Sequence, residues 1–94
     1  LNLDYEAQTP NDSMSKAIAK DNGMEGAHLR RTPKQLSALK SDEFCVMKTD
    51  SVIGINQFEP VGNGFVKLNV TIPSSSCPNF TGIVYVFEKH FNFI

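Results

Sequence analysis

The chain has no tryptophan, only two cysteines among its 94 residues, and no apolar run near the roughly 20 residues that a membrane-spanning helix needs. Its charges nearly cancel, nine basic side chains against ten acidic, for a net charge of −1. Without a field of one sign, nothing draws the chain to nucleic acid or to an anionic membrane, and neither partner is expected. Catalytic patterns are also missing. His28 and His90 each lack a second histidine at ligand spacing, so they read as surface residues and not as a metal site. Ser74-Ser75-Ser76 lacks the flanking glycines of a nucleophile elbow, and Gly62-Asn63-Gly64 lacks the lysine and helix of a phosphate loop. Asp42 and Glu43 are adjacent at the start of a predicted strand, and adjacent residues on a strand point to opposite faces and cannot share acid–base work. The expectation is a chain that is not an enzyme, with no catalytic residues, no metal and no cofactor.

The two cysteines, Cys45 and Cys77, are the sharpest positive signal. Metal sites need more than two thiols, and redox pairs usually lie two residues apart, so an isolated pair 32 positions apart reads as a structural disulfide. Closing such a loop contributes about 3 kcal/mol, a large share for a small domain. An oxidising, extracytoplasmic setting follows as the expectation (periplasm, cell surface or secreted). Residues Leu1 to Tyr5 lack the charged start and apolar stretch of a signal peptide, so an exported chain is expected here in processed form.

Composition divides this single domain near Ser41. All five alanines precede it, and all seven phenylalanines and all seven valines follow it. Alanine favours helices while β-branched and aromatic residues suit a pleated surface, so a helical or loop part over 1–41 and a sheet over 42–94 are expected. Thr32-Pro33-Lys34-Gln35 has the form of a helix start, which predicts a helix over 33–41 with Leu36 and Leu39 inward. Met14, Ala17 and Ile18 have helical spacing before Gly23, which predicts another over 13–22, and 23–31 reads as a loop. Strands are predicted over 43–49 and 52–58, with a hairpin at Asn63-Gly64. Val66, Leu68, Val70 and Ile72 alternate with Lys67, Asn69 and Thr71, as in a strand with one buried and one wet face. Residues 73–79 read as a polar loop, and Ile83 to Phe87 as a central strand running on through Phe91 and Phe93. The fold class expected is α+β: short N-terminal helices packed on a four-stranded, mainly antiparallel sheet.

That meander conflicts with the disulfide. It places Cys45 and Cys77 at opposite ends of strands about 23 Å long, whereas a disulfide needs Cα atoms within about 7 Å. Either the loop after Pro73 folds back, or the strands are short or differently ordered, or the thiols stay free.

Three Asn-x-Ser/Thr triplets begin at Asn11, Asn69 and Asn79, a slight excess over the one or so that chance supplies. Arg30, Arg31, Lys34 and Lys40 form the one local basic patch; it has no interleaved aromatics for base stacking and better suits an acidic protein partner. Tyr85, Phe87, Phe91 and Phe93 recur at even spacing, so one uninterrupted strand would carry all four on one face with Ile83, a surface for a protein partner or for self-assembly. The layout of a helix, four antiparallel strands and a disulfide resembles type IV pilin heads and pseudopilins, which implies a structural subunit of a filament. The alternative is a small secreted inhibitor or ligand-binding domain of cystatin-like layout, although the chain has no Gln-x-Val-x-Gly loop and Ser51-Val52-Ile53-Gly54 stands in its place.

Overall fold

The structure, a computed structural model, describes residues 15–21 and 26–94. They form seven strands: β1 Lys16–Ala19, β2 Ala27–Arg30, β3 Phe44–Met47, β4 Val52–Gly62, β5 Phe65–Ile72, β6 Gly82–Phe87 and β7 Phe91–Phe93. All belong to one antiparallel sheet of order β3-β2-β6-β5-β4-β1-β7. Two short links show that this sheet curls. Residues 48–51 join β3 to β4, and the single 3-10 turn Glu88–His90 joins β6 to β7, yet three strands separate the members of each pair in the sheet order. A flat sheet would hold them about 19 Å apart. Curling into a half-barrel brings them within reach and encloses one core.

The α+β expectation is therefore wrong. Among the described residues, helical backbone is limited to two 3-10 turns, Leu36–Ala38 and Glu88–His90, and two strands lie before Ser41. The helix expected over 13–22 lies partly outside the described residues; within them, Lys16–Ala19 is a strand paired with β4 on one side and β7 on the other. Its alanines serve the inner face as small residues. Ala17 sits opposite Phe93 and Ala19 opposite Phe91, so the rings take up the space that the methyl groups leave, and Phe58 meets Phe93 edge to face at 4.9 Å. Packing has overridden helix propensity here. Residues 27–30, expected in a loop, form β2 with all four side chains buried.

The helix expected over 33–41 shrinks to Leu36–Ala38, flanked by extended Gln35 and Leu39, and the Oγ1 of Thr32 is buried without a hydrogen-bond partner among the described residues, so it caps nothing. The reason is closure. Arg30 pairs with Phe44, and the Arg31 amide donates to the carbonyl of Glu43, so this connection must return to where it began. A straight helix over 33–41 would carry the chain about 13 Å away, with little left to bring it back. The pilin-like and cystatin-like layouts both rested on a helix packed against four strands, and they go with it.

The hairpin stands: Gly62 and Phe65 flank Asn63 (φ 56°) and Gly64 (φ 82°), the positive φ that a two-residue hairpin turn requires. In β5, Val66, Leu68 and Val70 are buried as expected, but Ile72 is 66% exposed beyond a register shift in β4. The core joins these to Ala17, Ala19, Leu29, Met47, Ile53, Phe58, Val84, Val86 and Phe91.

Candidate functional site

The disulfide is closed. Cys45 lies on β3, on the inner face opposite Leu29, and Cys77 in the loop between β5 and β6, with Cα atoms 6.0 Å apart. Two departures from the meander reconcile them: β3 pairs with β2 and not with β4, and the loop folds back over the sheet. An intramolecular disulfide is compatible with an oxidising compartment. Among the described residues no helix is long and apolar enough to cross a membrane, and no three His, Cys, Asp or Glu side chains are grouped to hold a metal.

The predicted basic patch separates into three environments. Lys34 and Lys40 are exposed in the β2–β3 connection. Arg31 organises the disulfide loop: its Nη1 donates to the carbonyls of Thr81 (2.9 Å) and Ile83 (3.1 Å), its Nη2 donates to that of Asn79 (2.9 Å), and its guanidinium lies 4.5 Å over the Phe80 ring. Arg30 has the opposite fate. Strand alternation turns it to the outer face, where its guanidinium lies 4.7 Å from the Phe87 centroid and 5.2 Å from that of Phe65, two rings stacked 4.3 Å apart. Only 3% of Arg30 is exposed, and its buried Nε and Nη1 have no hydrogen-bond partner among the described residues. Burial lowers its pKa. His90 touches Phe87 edge to face at 5.4 Å, and its pKa is lowered by burial first, then by Arg30, then by Lys20.

The aromatic row expected on one face is divided by the 3-10 turn Glu88–His90, which interrupts the alternation. Phe87 pairs with Phe65 and Tyr85 with Lys67, both on the outer face, whereas Phe91 is 2% exposed on the inner face and Phe93 packs against the core. In the outer row across the sheet, Arg30, Tyr85, Lys67 and Glu59 lie side by side, with Ile83 39% exposed two residues along from Tyr85. Among the triplet asparagines, Asn69 donates its amide to Asn56 Oδ1 at 2.6 Å, Asn79 is exposed in its loop, and Asn11 lies outside the described residues.

The buried Arg30 was missed because residues 23–31 read as a loop. The signal was there: His28 and Arg30 flank Leu29 at strand spacing, and outward of it His28 meets the Phe44 ring of β3 while Arg30 meets Phe65 of β5 and Phe87 of β6. Comparisons of the chain with protein-family models, with curated proteins and with solved structures find no match.

Proposed function

We propose that this chain is an extracytoplasmic protein-interaction module that presents the outer face of β2, β6 and β5 to a protein partner. The observation that carries the reading is the apolar row in the middle of that face: Ile83 (39% exposed), Tyr85 and Phe87, beside the ring-covered Arg30. Amphipathic aromatics and arginine are the side chains that interfaces favour. Charges of both signs border that row, with Arg30 and Lys67 flanking Tyr85, Glu59 beyond Lys67 and Glu88-Lys89 after Phe87, so a partner patch that is apolar at its centre and of mixed charge at its rim fits. The disulfide supports the compartment, since such bonds persist where the surroundings oxidise.

The test is photo-crosslinking from position 83, with position 48 as control, in purified protein over a range of concentrations and in extracytoplasmic extract. A discrete adduct from position 83, absent from position 48 and lost in Tyr85→Ser, supports the reading. An adduct with a second copy instead would make the module self-assembling. Equal labelling from both positions, unaffected by Tyr85→Ser, would remove the proposal.

A further inference from the structure

We infer that Asn79, and not Asn69, is a site of N-linked glycosylation. Both begin an Asn-x-Thr triplet whose middle residue is not proline, Phe80 in one and Val70 in the other, so the acceptor motif by itself does not separate them. The fold does. A glycan is bulky and hydrated, and a folded domain carries it only where the acceptor side chain reaches solvent. Cys77, Pro78, Asn79 and Phe80 form a turn closed by the Phe80 amide, which donates to the Cys77 carbonyl at 3.1 Å, with proline in the second position and asparagine in the third. Asn79 and Thr81 are exposed, while Phe80 between them is buried under the Arg31 guanidinium. Arg31 holds the carbonyls of Asn79 and Thr81, so the backbone of the motif is anchored while its two exposed side chains take no part in the anchoring.

Asn69 is placed the other way. It lies within β5, with β4 on one side and β6 on the other, is half-buried, and donates its amide to Asn56 Oδ1 at 2.6 Å. Its register partner on β6 is Ile83, so a sugar on Asn69 would have to lie across the outer face of the sheet. The disulfide is a second, independent observation. Cys77 is two residues before Asn79, and the lumen of the endoplasmic reticulum is an oxidising compartment in which such bonds form and Asn-x-Ser/Thr acceptors are modified. Modification at Asn79 rests on the extracytoplasmic setting proposed above and needs no partner protein. In the transfer, Asn79 Nδ2 bonds to the anomeric carbon of an oligosaccharide carried on a polyprenyl diphosphate. The bond from that carbon to the diphosphate oxygen breaks, polyprenyl diphosphate leaves with the electron pair, and Nδ2 gives up one of its two protons. Nothing is oxidised or reduced.

The experiment expresses the whole chain behind a cleavable leader in a eukaryotic secretory host and maps sugar peptide by peptide in wild type, Asn79→Gln, Asn69→Gln, Thr81→Ala and Thr81→Ser. Wild type should carry a mass increment on the Asn79 peptide that peptide N-glycosidase removes, leaving aspartate at that position, and its Asn69 peptide should be unmodified. Asn79→Gln and Thr81→Ala should lose the increment. Thr81→Ser should keep it, because serine retains the hydroxyl that the motif requires. Asn69→Gln should leave it unchanged. Every variant should be recovered with the Cys45–Cys77 bond closed, which separates loss of the acceptor from loss of the fold. An unmodified Asn79 peptide in secreted, disulfide-closed protein overturns the site and leaves the compartment reading standing. Sugar on Asn69 at an occupancy equal to or above that on Asn79 also overturns it, as does an increment that survives Thr81→Ala. Sugar on Asn79 in protein whose two cysteines stay reduced would sink the compartment reading and keep the site.

Discussion

Arg30 and Arg31 are adjacent, carry the same charge, and are used in opposite ways. Arg31 spends its donors on the carbonyls of Asn79, Thr81 and Ile83 and so ties down the disulfide loop, whereas Arg30 is clamped by Phe65 and Phe87 with two donors unmet. Strand alternation is the cause, since one residue of offset sends a side chain to the other side of the sheet. The side carrying the disulfide, Arg31 and the aliphatic core is built for stability. On the outer face, Arg30 carries two buried donors that no acceptor among the described residues meets. An expensive group without a structural return is where function is to be sought.

Four experiments would break or sharpen that contrast. The largest effect belongs to the core: Leu68 is fully buried, so Leu68→Ala should cost about 2–5 kcal/mol in denaturant unfolding, against under about 0.5 for Lys67→Ala on the outer face. Equal costs would mean the two faces are misassigned. Next is the staple, where Cys45→Ala with Cys77→Ala should lose about 2–4 kcal/mol, and mass analysis of the unreduced protein should find no free thiol.

The arginines provide the third comparison. Arg31→Ala should cost about 1–3 kcal/mol and raise hydrogen exchange in the loop over 73–81, because three charge-assisted bonds disappear from a partly exposed site. Arg30→Met should be neutral, or gain up to about 1 kcal/mol, because an apolar side chain replaces a buried charge without acceptors. Equal costs would mean that the two arginines are held alike.

The smallest effect is on pH dependence. His90 has its folded pKa below the ordinary 6.5 through burial, Arg30 and Lys20, so near and below pH 6.5 the unfolded chain binds the proton more readily than the folded one. Stability from this group is present above 6.5 and falls as the pH drops through that value towards the folded pKa. Arg30→Met removes one of the two cationic causes, so the His90 Hε1 titration should move upward and the acid loss shrink. An unchanged titration would show that Arg30 does not act on His90.

Much of the sheet was legible in the residues. The alternation in β5, the Asn63-Gly64 turn and the Cys45–Cys77 pair are local or chemical signals, each requiring a residue type that few other structures would demand. The candidate site was only half legible: Tyr85 and Phe87 stood out by composition, but the role of Arg30 was hidden inside a segment that read as a loop. Phe91 and Phe93, expected on one face with Tyr85 and Phe87 if the strand ran uninterrupted, part from them because three residues of 3-10 turn, Glu88–His90, break a period of two that looks continuous in the sequence.

What the sequence determined by itself, then, is wherever the nearest neighbours along the chain settle the conformation: the hairpin, the alternating strand and the cysteines available for one bridge. Tertiary structure alone decided that Lys16–Ala19 and Ala27–Arg30 become strands, that β3 docks on β2, and that the curled sheet turns Arg30 outward and Phe91 inward. These segments are short and carry alanine, histidine and arginine, whose own preferences for strand are weak. Pairing with distant strands and burial against distant rings outweigh those preferences, and both depend on partners far away in the sequence.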